Sequence, residues 1–211
     1  MNPNLDLAEP SAVNHGQESM NATVEGDRKP WRPSTEFSDV FYKSLQFGRV
    51  RGVVTLFSGN HDSSEAPFLA LTQELIQRDI LVAVTGRLAE DFEAAGLLGE
   101  DAFDYAGEGL AEICDYIEIM PVIALEGTEH DADSAELFTL LSGQSSKELK
   151  GLPFVGMATA IDGVLPGAYD RVFTMASDVQ QTTDSLDDYI HEKRLALGWS
   201  DRYHCSMETY S

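Results

Sequence analysis

The sequence predicts an α/β domain of three layers, with helices on both faces of a mostly parallel sheet. Two observations predict it. Short apolar runs rich in β-branched residues, such as Gly52–Phe57 and Ile80–Thr85, have the length of strands buried on both faces. Between successive runs lie stretches whose apolar residues recur at helical spacing, so each strand reaches the next through a helix.

Residues 1–34 are polar, rich in Asn, Glu, Ser and Pro, and carry neither period; they are expected to form an extended or disordered acidic tail. Within it, Trp31 in Lys29–Pro33 reads either as a docking anchor or as an incidental tail tryptophan. The domain is expected over 35–200. Its first helix, Glu36–Gln46, sets Phe37, Val40, Phe41 and Leu45 on one face and stops at Gly48. Strand Gly52–Phe57 follows, then helix Ser64–Asp79 with Phe68, Leu71, Leu75 and Ile76 inward and Pro67 in its first turn. After strand Ile80–Thr85 come helices Leu88–Ala95 and Gly107–Ile117, then strand Pro121–Leu125. A helix over Ser134–Leu141, strands Leu152–Met157 and Arg171–Met175, and a helix over Asp184–Leu197 ended by Gly198 complete the domain. Right-handed crossovers between such strands give a parallel, Rossmann-like sheet. Residues 201–211 form a C-terminal tail that contains His204 and Cys205.

Composition removes several function classes. With 14 basic against 36 acidic residues, the formal charge of −22 repels nucleic-acid phosphates and anionic lipid. No window is long and apolar enough for a membrane span, and the N-terminus has no signal-peptide pattern, so a cytoplasmic protein is expected. The two cysteines, Cys114 and Cys205, form no CxxC pair, so neither a disulfide framework nor a self-contained thiolate cluster is expected.

Ligands of parallel sheets bind beyond the carboxyl ends of the strands. The loops there begin SGNHD after Phe57, TGRLAED at Thr85, and EGTEHDAD after Leu125. None is a dinucleotide or Walker loop. Ser58, Gly59, Asn60, Thr85, Gly86 and Arg87 are the candidate small-ligand or anion positions, because a guanidinium at a helix start suits phosphate or carboxylate. The alternative for Arg87 is a pair with Glu90, Asp91 or the acids of the third loop. His61, Asp62, Glu129, His130 and Asp131 offer imidazole and oxygen donors suited to zinc, manganese or iron; the alternative is a solvated acidic loop.

The order of blocks from Phe37 to Gly198 resembles the C-terminal domain of anaerobic nickel–iron carbon monoxide dehydrogenases, in the hybrid-cluster (prismane) superfamily. The most specific stretches are Thr72–Gly86 (TQELIQRDILVAVTG) and Ile190–Gly198 (IHEKRLALG). In that family the strand-end loops supply cysteine thiolates to a nickel–iron–sulfur cluster. At the matching positions this chain has Ser58 or Gly59, then Arg87, then Thr128 and Glu129. The family's catalytic lysine also has no counterpart, since residues 157–170 contain no lysine. Cys114 matches what the resemblance implies is a structural cysteine.

The expected function is therefore a non-catalytic carbon monoxide dehydrogenase-like domain, or pseudoenzyme, for assembly, regulation or small-ligand binding, with no cofactor in the isolated chain. A protein partner, either a second copy of the chain or a carbon monoxide dehydrogenase-type subunit, and a small anion are expected. Two alternatives stay open: a subunit of a carbon monoxide dehydrogenase-type oxidoreductase completed by a cluster-carrying partner chain, and an enzyme with a hard metal at the acidic loops.

Overall fold

The computed structural model describes residues 35–57, 66–85, 88–125, 151–158, 171–176 and 178–200, with 139 and 169 singly. Both expected tails lie outside the described residues, as does the expected helix Ser134–Leu141 apart from Thr139. In chain order the elements are α1 (Thr35–Phe47), β1 (Gly52–Phe57), α2 (Ala66–Gln77), β2 (Ile80–Thr85), α3 (Leu88–Ala94), a 3₁₀ turn (Glu100–Asp104), α4 (Glu108–Tyr116), β3 (Val122–Leu125), β4 (Phe154–Ala158), β5 (Val172–Thr174) and α5 (Val179–Ala196).

The strands form one sheet in the order β3-β2-β1-β4-β5, and every pair is parallel. The central strands are the most apolar runs: all of β2 and β4, and all of β1 except Phe57, are buried. The edge strands β3 and β5 are partly exposed. Phe68, Leu71, Leu75 and Ile76 of α2 and Leu186 and Ile190 of α5 are buried, each contributing about 1.5–3 kcal/mol of hydrophobic stabilisation. Among the described residues, no helix is long and apolar enough to cross a membrane.

Polar ties fix the amino-terminal end of the sheet. Asp79 is fully buried with a positive φ of 58°, a conformation that Asp tolerates better than most residues. Its carboxylate accepts the Leu110 N–H at 2.8 Å and so caps α4 from another element, while its carbonyl accepts the Arg51 N–H at 2.8 Å. Arg51 is itself buried and pairs with Asp187 of α5. Arg78 reaches Asp184 at 3.2 Å and Asp187 at 3.8 Å. Arg194, also fully buried, donates to the carbonyls of Arg51 at 3.0 Å and Ser200 at 3.1 Å, joining the end of α5 to the entry of β1.

The expected elements that fall on described residues form, with shifted ends. α2 stops at Gln77 rather than Asp79, because Asp79 leaves the helical conformation to make the α4 cap. The last helix starts at Val179, five residues before the expected Asp184: the Asp178 side chain accepts the Gln180 N–H at 2.9 Å and caps a polar first turn that carries no apolar period. The strand expected at Leu152–Met157 runs Phe154–Ala158, and the one expected at Arg171–Met175 is the three-residue Val172–Thr174.

Candidate functional site

Because every strand is parallel, Phe57, Thr85, Leu125, Ala158 and Thr174 all lie at the same end of the sheet. From β1 the chain builds outward to β2 and β3, then crosses back to place β4 on the other side of β1. The strand order therefore reverses between β1 and β4, and the carboxyl ends at such a reversal are where open parallel sheets generally form a ligand crevice. Phe57 and Ala158 are register partners there. The ring of Tyr169, a buried residue, meets that of Phe57 edge to face, with centroids 5.5 Å apart. Gly156 lies beside them: a methyl group on it would sit 3.1 Å from the Phe57 ring and 3.0 Å from Val172, so any larger residue would have to displace these side chains by a few tenths of an ångström.

Thr85 is the one sequence-predicted site residue among the described residues. It is 5% exposed, and its hydroxyl donates to the Leu56 carbonyl at 3.3 Å, tying β2 to β1. Ser58, Gly59, Asn60, His61 and Asp62 follow β1 directly, Gly86 and Arg87 separate β2 from α3, and Glu129, His130 and Asp131 follow β3; all lie outside the described residues. The elements on which they hang converge at the carboxyl end, with β1 and β2 adjacent and β3 one strand further out. Among the described residues, no three His, Cys, Asp or Glu side chains gather as metal ligands. The helix after Arg87 has only seven residues and carries Glu90 and Asp91 in its first turn. Those carboxylates already satisfy the helix dipole, so the anion reading rests on the Arg87 guanidinium itself.

Cys114 lies elsewhere. The first turn of α4 is held at the start of β2, where the Gly107 N–H donates to Ile76 at 2.8 Å and Leu110 to Asp79. Its last turn leads into β3, with the Ile119 N–H donating to the Cys114 carbonyl at 2.9 Å. The helix therefore runs along the amino end of the sheet, opposite the crevice. Burial pushes the Cys114 thiol far above its ordinary range, so it is held as the neutral form.

The charged ties Arg51, Asp187 and Arg194 were not singled out in the sequence. Arg194 had a signal: it continues the Leu186–Ile190 stripe by one more helical step, a position that otherwise calls for an apolar residue.

No family model matches the chain. Carbon monoxide dehydrogenase of Archaeoglobus fulgidus is 28% identical over 203 residues, covering 76% of this chain and 32% of the relative. That of Methanocaldococcus jannaschii is 29% identical over 154 residues, covering 70% of this chain and 23% of the relative. A solved structure of carbon monoxide dehydrogenase IV from Carboxydothermus hydrogenoformans superposes on the chain with a TM-score of 0.62 and 20% identity, covering 75% of this chain and 32% of that one. The chain is related to carbon monoxide dehydrogenases. It spans about a third or less of the length of these relatives.

Proposed function

We propose that this carbon monoxide dehydrogenase-like domain has no cluster chemistry of its own and serves assembly, regulation or the binding of a small ligand at the crevice between β1 and β4. The position of Cys114 carries the reading. A nickel–iron–sulfur cluster of the kind the family resemblance implies is held by thiolates. Of the two cysteines, Cys114 is buried as a neutral thiol at the opposite end of the sheet, and Cys205 lies 31 residues beyond β5. The donors at the strand-end loops are hydroxyl, guanidinium, imidazole and carboxylate groups, which do not fit such a cluster, and a guanidinium at Arg87 opposes any cation there. No catalytic step is assigned to the chain.

A second reading is supported by length. Because the chain matches a third or less of its relatives, a partner chain carrying the rest would make it a subunit of a carbon monoxide dehydrogenase-type oxidoreductase. The hard-metal reading at His61, Asp62, Glu129, His130 and Asp131 has only donor chemistry behind it.

One experiment separates the three. The full chain is produced anaerobically with iron, sulfide and nickel supplied, then analysed for metals and sulfide and assayed for viologen-linked carbon monoxide oxidation. The expected result is neither stoichiometric nickel and iron nor turnover. Near-stoichiometric nickel, iron and sulfide with turnover overturns the proposal. Zinc, manganese or iron bound without sulfide supports the hard metal instead, and purification from the native source with a cluster-bearing chain supports the subunit.

A further inference from the structure

Charge is distributed unevenly along the domain. No Lys or Arg occurs between Arg87 and Lys147, whereas α3, the 3₁₀ turn, α4 and the turn after it carry ten Asp and Glu residues. All of these except Asp91 are exposed. Arg49 reaches the surface from outside and pairs with Glu112. In the whole chain, 14 basic residues stand against 36 acidic ones, so no arrangement of its own side chains neutralises this surface and the rest together. The remaining counter-ions come from solution.

Local geometry sharpens the repulsion. Glu108 and Glu112 are four residues apart on α4, and Glu112 and Asp115 three, which sets neighbouring Cβ atoms roughly 5–6 Å apart. Asp101 and Asp104 are three apart in the 3₁₀ turn, where such residues eclipse. The helix dipoles add to the opposition. None of α1 to α4 has a basic residue in its last turn, and Asp115 lies in the last turn of α4, at its negative end. Of the described helices, α5 alone carries Lys193 and Arg194 there.

The Debye length is about 10 Å at 0.1 M salt and about 3 Å at 1 M, so carboxylates at this spacing are screened from one another only near the molar range. The ion pairs respond in the opposite sense but weakly. Arg78 with Glu74 and Asp184 is a partly exposed cluster of small worth, and Arg51 with Asp187 is buried and little screened. We propose that the folded domain depends on molar concentrations of monovalent salt, its carboxylate surface holding a diffuse layer of cations at no fixed site, and that the protein works in a solution of that ionic strength.

The test follows thermal unfolding of the full chain by circular dichroism in KCl from about 0.1 to 2 M. Tm is expected to rise by about 10 °C across that range, the size of shift that relief of several like-charge contacts gives a domain of this length. Salt also strengthens apolar burial, so a triple variant, Asp104→Asn with Asp115→Asn and Glu118→Gln, separates the two causes. All three side chains are exposed. The variant should melt above the natural chain at the lowest KCl concentration, and the gap should close toward the highest. An equal rise in both proteins overturns the proposal and leaves salt-strengthened burial as the cause. A Tm that is flat or falls with KCl also overturns it, and would show that ion pairs such as Arg78 with Asp184 outweigh the repulsion.

Discussion

Replacing Gly107 by alanine isolates the contact between the start of α4 and the turn before β2. Gly107 has φ −63° and ψ 157°, values open to any residue, so backbone conformation contributes nothing to the cost. The cost is steric. A methyl group there would lie 2.3 Å from an Asp79 carboxylate oxygen and 2.7 Å from the Gln77 carbonyl oxygen. Ordinary contact begins at roughly 3.4 Å, so α4 or the carboxylate must move by about 1 Å, enough to break the 2.8 Å cap on Leu110. Overpacking of this kind costs about 1–3 kcal/mol, and the lost cap adds about 1 kcal/mol. The expected loss is therefore about 3 kcal/mol, with a fall in Tm of about 6–12 °C for a domain of this size. Urea denaturation monitored by circular dichroism measures it. Asp79→Gly removes the carboxylate and accepts the positive φ, so Gly107→Ala in that background should cost less, with only the Gln77 oxygen left in its way. A loss under about 1 kcal/mol in the single variant, or an equal loss in both backgrounds, refutes the account.

Three further outcomes are expected. The Thr55 hydroxyl is buried in the middle of β1 and has no hydrogen-bond partner among the described residues, so Thr55→Val should leave stability unchanged or raise it by about 1 kcal/mol; a comparable loss would show a bond at that hydroxyl. Cys114 stays protonated in the folded state while the unfolded thiol ionises above about pH 8.5, so its contribution is full below that pH and declines by about 1.4 kcal/mol per unit above it. Urea midpoints measured at increasing alkaline pH should fall more steeply for the natural chain than for Cys114→Ala, and parallel curves would contradict this. Phosphate should raise Tm through Arg87 by mass action, and Arg87→Ala should lose the rise; the same rise in both proteins would mark it as nonspecific.

Gly52–Phe57 and Ile80–Thr85 were legible as buried parallel strands because burial on both faces leaves no polar alternation. The family resemblance was legible for a similar reason: Thr72–Gly86 and Ile190–Gly198 contain the apolar positions that pack α2, β2 and α5 together. Element ends were less legible. Asp178 caps α5 and Asp79 caps α4, yet neither shows in an apolar period, since a cap is a hydrogen bond between a side chain and a backbone that only the fold brings near.

Of the candidate site, the sequence determined which chemical groups stand at the strand ends and that no cysteine is among them. It did not determine the strand order. Only the tertiary structure placed β4 beside β1, which puts the reversal of strand order at Phe57 and Ala158, and only it sent Cys114 to the far end of the sheet. The buried ties of Arg51 to Asp187 and of Arg194 to the β1 entry are likewise tertiary. Local sequence sets which residues share a face, whereas the pairing of groups more than a hundred residues apart is decided when the chain closes and a buried charge must find a partner.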